Sequence, residues 1–290
     1  MAQDERTKGF IASSINRITH GGAMTLDKYK REAMERPPKT TVEGEAGVGK
    51  SYFACSAPKP FVINTDDGID EILLHKPDIM VADAIPVGDV EANAKIYDGV
   101  LNTLNELAKE KHDRKSIIVD SLDRLEVLAQ AKVCVEHKIE AIEDLGYGKG
   151  YTYSRGKIQR VLAGLNYLRE HKEMEPICVC HTQIRTINKP TLEPYDIFSL
   201  KLHKAASADI MEWSDAVLFL SFKMIIQKKD TGFGRKDSRA INTGERIILT
   251  SGSQGVDCKN RFGLPPEIPA EYDEYHKLIN ESRRQNANAS

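Results

Sequence analysis

The sequence predicts an α/β fold with a mostly parallel sheet and helices on both faces, and this prediction rests on two observations. Short apolar runs typical of buried strands alternate along the chain with longer segments in which apolar residues recur at helical spacing. A glycine-rich loop, Gly44–Ser51, stands between the first strand and the first helix of this series. Open parallel sheets bind their ligands at the carboxyl ends of their strands, so this loop marks a candidate site.

Four strands make up the predicted parallel core. They are expected at 40–42, 61–64, 116–120 and 177–180. The last two are continuous apolar runs of the kind that a parallel sheet buries on both faces, whereas the first is more polar than a central strand usually is. From the spacing of apolar residues and the position of the glycine-rich loop, helices are expected at 50–57, 90–112, 122–142 and 158–171.

The pattern changes beyond Trp213. Two expected strands, 216–227 and 246–250, flank a loop rich in glycine, lysine and arginine. This arrangement predicts an antiparallel β extension near the C-terminus.

Three regions are expected along the chain. Residues 1–36 are predicted to form a polar leader, with a short amphipathic helix that ends before Pro37 and Pro38. Residues 37–272 are predicted to form one globular domain. Residues 273–290 are predicted to be a polar, frayed tail.

Composition restricts the possible partners and compartment. Because the net charge is only −2, any nucleic acid would have to bind to local basic segments. The N-terminus lacks the apolar core of a signal peptide and no apolar run is long enough for a bilayer, so a cytoplasmic protein without membrane contact is expected. Five scattered cysteines suit a reducing compartment, and Cys178 and Cys180 are predicted to be buried strand residues rather than zinc ligands.

The glycine-rich loop has the spacing of a P-loop. Its residues are Gly44, Glu45, Ala46, Gly47, Val48, Gly49, Lys50 and Ser51. In such a loop successive backbone N–H groups bind the α- and β-phosphates of a nucleotide, the lysine reaches the β- and γ-phosphates, and the hydroxyl binds Mg²⁺. The sequence therefore predicts that ATP and Mg²⁺ bind here, the alternative being an ordinary turn.

Two further strand ends offer carboxylates for the same site. Asp120 ends an apolar strand and is predicted to hold Mg²⁺ opposite Ser51, while a helix-capping role fits Ser121 or Asp123 better. Asp66 and Asp67 follow the strand at 61–64 and are predicted to orient the attacking water, Asp66 ahead of Asp67. The alternative for the second pair is turn chemistry before Gly68.

Several short segments together resemble one family. They are Ser56–Pro60, Tyr147–Tyr151, Lys201–Lys204, Trp213–Phe219, Gly244–Arg246 and Lys259–Pro265. With the P-loop they resemble the phage RecA-like nucleotide-binding ATPases, which include the small single-strand annealing recombinases. The resemblance covers roughly residues 38–270 and implies a RecA-like P-loop NTPase core.

The resemblance also implies roles for individual residues. Asp66 stands where RecA-like proteins usually carry a catalytic glutamate, and His181 or Gln183 would sense the γ-phosphate. Lys259 and Arg261 resemble an element that reaches into the nucleotide site of a neighbouring subunit, which implies a ring or filament. A strand-end hydrogen bond for the first pair and a solvated basic pair for the second are the alternatives.

Three segments interleave or cluster basic residues and predict sequence-independent binding of single-stranded DNA. The candidates are Tyr147, Lys149, Tyr151 and Arg155 in a flexible loop, then Lys189, Lys201 and Lys204, then Lys228, Lys229, Arg235 and Lys236 at the hairpin. A solvated charged face is the alternative for each segment alone.

These observations and the resemblance together predict a phage ATPase of recombination or single-strand annealing, with a phage single-strand-binding protein as a further candidate partner. A helicase-like motor, a non-hydrolysing nucleotide switch and a small-molecule kinase remain alternatives. The kinase is disfavoured because no arginine-rich lid is evident in the sequence.

Overall fold

The computed structural model describes residues 35–230, 236–252 and 255–288, with backbone alone for 226–230, 236–240 and 287–288. Within these ranges ten strands form one sheet. They are β1 (Thr40–Gly44), β2 (Pro60–Asn64), β3 (Met80–Asp83), β4 (Ser116–Asp120), β5 (Glu175–Ile187), β6 (Tyr195–Leu200), β7 (Ala216–Asp230), β8 (Lys236–Leu249), β9 (Lys259–Asn260) and β10 (Glu267–Pro269).

Seven α-helices lie in the described ranges. They are α1 (Lys50–Ala54), α2 (Asp70–His75), α3 (Val90–Lys109), α4 (Leu122–His137), α5 (Lys149–His171), α6 (Lys204–Trp213) and α7 (Tyr272–Asn288). None of them is long and apolar enough to cross a lipid bilayer.

The sheet has a parallel core and antiparallel additions. Its order is β10-β8-β7-β1-β5-β4-β2-β3, and every pair from β7 to β3 is parallel. Antiparallel pairs join β8 to β7, β10 to β8, β6 to β5 and β9 to β7. The register sets Gly44 beside His181 and Asn64 beside Asp120, so the carboxyl ends of β1, β2, β4 and β5 meet at one edge.

Apolar layers cover both faces of the sheet. One packs residues of α3, α4, α5 and α6 against the strands, with Leu125 and Leu165 fully buried. The other packs α1, α2 and α7 on the opposite face, with Phe53 and Tyr275 at its centre. The predicted fold class is therefore confirmed: an α/β fold with a mostly parallel sheet, helices on both faces and an antiparallel extension.

The polar first strand is nevertheless a central one. All five residues of β1 are buried, and its two threonine hydroxyls find partners inside the protein. The Thr40 hydroxyl lies 2.9 Å from the Tyr275 hydroxyl, and that of Thr41 lies 2.8 Å from the Ser214 hydroxyl. Hydrogen bonds to buried neighbours remove the desolvation cost that made this strand look unsuited to the centre of a sheet.

The predicted frayed tail is wrong. Residues 272–288 form α7, whose Tyr275 and Ile279 side chains are fully buried against the sheet. The Tyr272 hydroxyl donates to Glu175 at 2.7 Å, and its ring lies 5.9 Å from that of Phe53. Three apolar residues at helical spacing are enough to bury one face of a segment that is otherwise polar.

One predicted loop is also wrong. The segment expected as a flexible aromatic and basic loop becomes the first turns of α5, which begins at Lys149. Beyond His181, β5 continues to Ile187, and the chain returns as β6, which pairs with Thr182–Ile187. The predicted leader lies outside the described residues except at its end, and its boundary stays a prediction.

Candidate functional site

The backbone between β1 and α1 is shaped by its glycines. A Cβ added to Gly44 would lie 2.4 Å from the Leu220 carbonyl oxygen, so the loop leaves β1 in close contact with β7. Gly47 and Gly49 have φ angles of 76° and 100°, in the left-handed region that favours glycine. The turn therefore needs the glycine spacing of the P-loop, as the sequence predicts.

Lys50 begins α1, and its side chain folds back over the loop. Its ammonium donates to the Glu45 carbonyl at 2.8 Å, although an ammonium has three donors. Burial lowers the pKa of Lys50, and the nearby carboxylate of Asp120 opposes this effect. A desolvated cation with unused donors is suited to an anionic ligand held by the loop.

Ser51 and Asp120 lie opposite each other. The Ser51 hydroxyl faces the Asp120 carboxylate at the end of β4. Burial raises the pKa of Asp120, which the Ser51 hydroxyl opposes and the charge of Asp66 reinforces. A hydroxyl and a carboxylate provide the oxygen ligands that Mg²⁺ prefers, so these residues fit the predicted ion.

Thr65 fastens the end of β2 to the end of β4. Its hydroxyl donates to the Ser121 carbonyl at 2.7 Å and accepts from the Ser121 backbone N–H at 2.6 Å. The Asp66 backbone N–H also donates to the Asp120 carbonyl at 3.1 Å. Asp66 is consequently held beside Asp120, where a predicted catalytic carboxylate has to be.

His181 connects Asp66 with a carboxylate that the sequence reasoning missed. The His181 Nε2 lies 3.8 Å from Asp66 Oδ2, and its Nδ1 lies 3.1 Å from both oxygens of Asp123. The His181 backbone N–H also donates to Asp123 at 3.1 Å. Asp123 therefore fixes the ring so that Nε2 faces Asp66 and the cleft.

The environment of Asp123 is different from that of a helix cap. Burial raises its pKa, but hydrogen bonds from His181 outweigh burial and hold the pKa at about 2. The sequence did contain a signal for this role. Asp123 lies three residues after Asp120, in the first turn of α4, and side chains there are directed toward the same sheet edge.

The two alternative candidates lie outside this group of side chains. The Asp67 side chain is exposed, and its backbone N–H donates to Asp66 at 3.2 Å, as in a turn. The Gln183 amide donates to the Leu200 and Leu202 carbonyls at 3.0 and 3.2 Å, and so holds the segment that follows β6. Of the pair Asp66 and Asp67 the fold brings Asp66 to the site, and of the pair His181 and Gln183 it brings His181.

Two open cavities contain predicted DNA-binding residues, and the first of them adjoins the P-loop. One of about 440 Å³ extends from Gly44 along β5 to Lys201. The other, of about 400 Å³, lies beyond Gln183 and includes Lys201 and Tyr151. The Tyr151 ring stacks on that of His203 at 4.4 Å, so an aromatic face adjoins a lysine there.

The rest of the first basic segment is less available for DNA. Tyr147 is fully exposed before α5, and Lys149 begins that helix. Arg155, however, forms two hydrogen bonds to the Asp209 carboxylate at 2.7 and 2.6 Å. A guanidinium held in this bidentate pair has fewer donors left for a phosphate.

The remaining DNA-binding candidates are scattered. The Lys189 ammonium lies 5.7 Å from the centre of the Tyr195 ring, and Lys204 begins α6. The backbone of the β7–β8 hairpin carries Lys228, Lys229 and Lys236, whose side chains are not described, and Arg235 lies outside the described residues.

Lys259 and Arg261 lie at the opposite edge of the sheet from the P-loop. β9 pairs with the first residues of β7, whereas the P-loop follows the last residue of β1. The Lys259 ammonium donates to the Met211 and Glu212 carbonyls at the end of α6, and Arg261 pairs with Asp215 at 3.1 Å. Neither can reach the P-loop of its own chain.

A buried carboxylate without a partner immediately precedes the P-loop. Both carboxylate oxygens of Glu43 are buried and lack a hydrogen bond within the described residues. Burial and the charge of Asp257 raise the pKa of Glu43 to about 8, and Arg185 opposes them. Glu43 is therefore largely protonated at neutral pH.

Comparisons with known proteins bear on the family. No similar sequence was found among curated proteins. Among solved structures, one match is the crystal structure of the RadB recombinase, 11% identical, covering 74% of this chain and 80% of that one with a TM-score of 0.41. That likeness is too distant to transfer a function. Residues 36–262, more than half of the chain, match the family described as AAA domain. The chain therefore belongs to the AAA domain family.

Proposed function

We propose that this protein is an ATPase that binds ATP with Mg²⁺ at the P-loop, engages single-stranded DNA and acts in recombination or annealing. One observation carries the proposal. The side chains of Lys50, Ser51, Asp66, Asp120 and His181 converge at one edge of the sheet, although they come from four separate segments of the chain. A lysine for the phosphates, a hydroxyl and a carboxylate for Mg²⁺, and a second carboxylate for the water are the groups that P-loop enzymes use in phosphoryl transfer to water.

The proposed reaction is in-line attack of a water molecule on the γ-phosphate. Lys50 would bind the β- and γ-phosphate oxygens, and Ser51 and Asp120 would hold Mg²⁺, which neutralises charge on the phosphates when bound. Asp66 would orient the water and accept its proton. His181, oriented by Asp123, would donate to the γ-phosphate or hold Asp66 in place from 3.8 Å.

The proposal includes a contribution from a neighbouring subunit. Arg261 lies on the far edge of the sheet, and its side chain is half-exposed beside Asp215. An arginine in that position could enter only a neighbour's site, in a ring or filament with the nucleotide at the interface. Lys259 is bound to helix carbonyls and would position this segment rather than touch phosphate.

Single-stranded DNA would bind along the two cavities, one beside the P-loop and the other beyond Gln183. Lys201 lines both of them, and the stacked rings of Tyr151 and His203 offer an aromatic surface beside it. Stacking on bases and contact with phosphates both ignore sequence, so binding would be sequence-independent. The resemblance of residues 38–270 supports a phage origin, action in the host cytoplasm, and cooperation with a phage single-strand-binding protein.

The test is ATP turnover measured with and without single-stranded DNA at two salt concentrations. DNA should accelerate turnover, and high salt should reduce this effect because phosphate contacts release counterions. Turnover that DNA does not change at either salt concentration would contradict the DNA-dependent part of the proposal.

A second candidate is a nucleotide-dependent switch that hydrolyses slowly or not at all. Asp66 favours it, because aspartate is one methylene shorter than glutamate and its carboxylate lies 3.8 Å from His181, beyond hydrogen-bond length. Tight ATP binding without turnover, with or without DNA, would support the switch over the ATPase.

A further inference from the structure

An arginine of the antiparallel extension lies against the P-loop of its own chain. Arg246 belongs to β8, two strands away from β1 in the sheet. Its Nη1 lies 3.0 Å, and its Cζ 3.3 Å, from the position that a Cβ on Gly49 would occupy. The guanidinium is therefore in van der Waals contact with the turn that leads into Lys50.

The backbone and an aromatic ring direct this side chain. Arg246 is opposite Phe222 in the β7–β8 register, and its carbonyl accepts from the Ala270 backbone N–H at 3.3 Å. Its Cζ lies 6.0 Å from the centre of the Phe222 ring, within cation–π distance. These contacts hold the arginine on the P-loop side of the extension.

The charge of Arg246 has no partner among the residues that the structure describes. Within the part of the chain that the structure describes, its guanidinium forms no hydrogen bond or ion pair, and the side chain is exposed. Two other cations of the strands are paired, Arg185 with Asp257 and Lys223 with Glu267. Arg246 alone among these three presents unused donors, and it presents them beside the P-loop.

We infer that Arg246 binds phosphate oxygens of the nucleotide held by the P-loop of the same chain, on its α/β side. The inference rests on the proposed function, since it needs a nucleotide at this loop. Gly49 immediately precedes Lys50 and Ser51, whose backbone N–H groups would surround the α- and β-phosphates. A guanidinium contacting Gly49 can complete this cradle with two parallel donors.

Arg246 and Arg261 are thus assigned to different steps and different subunits. Arg246 acts in its own chain on nucleotide binding, and it acts on ADP as well as ATP because both carry the α- and β-phosphates. Arg261 is proposed to act on a neighbour's γ-phosphate during turnover. The binding role of Arg246 needs no assembly.

The test is equilibrium binding of ATP, ADP and inorganic tripolyphosphate in the presence of Mg²⁺, by competition with a fluorescent ATP analogue. Arg246→Ala should weaken binding of all three by about 10- to 100-fold, the effect of losing a charge-assisted hydrogen bond. Arg246→Lys should fall between Arg246→Ala and wild type, because it keeps the charge but loses the forked geometry.

Lys223→Ala is the matched control. It removes one positive charge from the same hairpin, where the ammonium is bound to Glu267 at 2.9 Å, and should bind all three ligands like wild type. Thermal melting without nucleotide should be the same for the Arg246 variants and wild type, which separates lost binding from lost folding.

Three results would overturn the inference. The first is that Arg246→Ala binds all three ligands like wild type. The second is that Arg246→Ala weakens binding of ATP but not of ADP, which would assign the contact to the γ-phosphate. The third is that it weakens binding of both nucleotides but not of tripolyphosphate, which would assign the contact to the base. If wild type itself binds no ATP, the proposed function fails together with the inference. If wild type binds ATP and the Arg246 variants bind equally well, only the inference about Arg246 fails.

Discussion

The two edges of the sheet differ in how their charged residues are paired. At the carboxyl edge Lys50 bonds to one carbonyl, Asp66 lies 3.8 Å from the His181 imidazole, and Arg246 has no ionic partner within the described residues. At the amino edge Asp215 accepts from Arg169, Arg261 and the Lys39 backbone N–H. The first edge keeps charges available for a ligand, and the second uses them to hold the chain together.

This difference follows from how each edge is built. The carboxyl edge ends in glycine-rich and acidic turns, in which Gly44, Gly47 and Gly49 have positive φ angles. The amino edge is closed by α6, β9 and the segment before β1, and the carboxylate of Asp215 is mostly buried among them. Unpaired charges cost stability, so their concentration at one edge is typical of a binding site rather than of a structural network.

The largest predicted effect is on ATP turnover, and it arises because the amino edge of one subunit would contact the carboxyl edge of its neighbour. Arg261→Ala should bind ATP like wild type but lower turnover by about 10³-fold or more, because trans arginines stabilise charge on the transferred phosphoryl group. ATP binding and steady-state turnover, measured on the same samples, check this prediction.

Mixing two inactive variants provides the control for a shared site. Lys50→Ala lacks the P-loop lysine, and Arg261→Ala lacks the proposed trans arginine. Mixed assemblies contain interfaces with both groups intact, so part of the wild-type turnover should return. No recovery, together with equally weakened ATP binding in both variants, would contradict the trans role.

The amino edge predicts an effect on stability instead. Asp215→Ala leaves Arg169, whose pKa is lowered by burial while Asp215 opposes this, without its carboxylate. Removing one partner of a mostly buried pair should lower the free energy of unfolding by about 3 kcal/mol. Urea denaturation measures this change, and ATP affinity should stay close to that of wild type.

Asp113→Ala is the matched control for that substitution. Its carboxylate also binds an arginine and a lysine, Arg114 and Lys59, but is itself exposed, and the buried Arg114 side chain keeps a hydrogen bond to the Asp78 carbonyl at 2.7 Å. The urea midpoint of Asp113→Ala should stay near that of wild type, because Arg114 retains a partner and the exposed pair with Lys59 contributes little. Equal losses in the two variants would remove the distinction between a structural network and a surface pair.

A further predicted effect depends on pH and concerns Glu43. Its pKa is about 8 in the folded protein and about 4.5 in the unfolded chain, so folding retains a proton between these values. Stability should therefore fall as pH rises through this window, by up to about 1.4 kcal/mol per pH unit, and level off above pH 8.

Glu43→Gln removes this titration while keeping the size of the side chain. Thermal melting between pH 5 and pH 9 should show a smaller loss of stability for the variant than for wild type. The difference in melting temperature, variant minus wild type, should therefore be largest above pH 8. Parallel profiles for the two proteins would show that Glu43 is ionised in the folded state.

The part of the site that the sequence predicts is the part defined by local spacing. Gly44–Ser51 is recognisable because glycines, lysine and serine have to follow each other closely in a phosphate-binding turn. Asp120 is recognisable because it ends an apolar run, and the fold class follows from the alternation of strands and helices. These features need no knowledge of which strands are neighbours.

The missed residues depend on contacts between distant segments. Thr65 and Asp123 acquire their roles from the register of β2, β4 and β5, and Arg246 from the antiparallel return of β8. Neither the register of these strands nor the return of β8 can be derived from the local sequence pattern. The error at α7 has a different cause: charged residues separate the few apolar ones, and only the opposing sheet face makes their spacing decisive.

Equilibrium ATP binding with Mg²⁺, by wild type and Lys50→Ala, tests the central claim that the carboxyl edge is the nucleotide site. Wild type should bind saturably, and Lys50→Ala should bind about 100-fold more weakly or not at all. Lys259→Ala, which removes a lysine from the amino edge, should bind like wild type. Absent binding by wild type, or equal affinities for wild type and Lys50→Ala, would contradict the account.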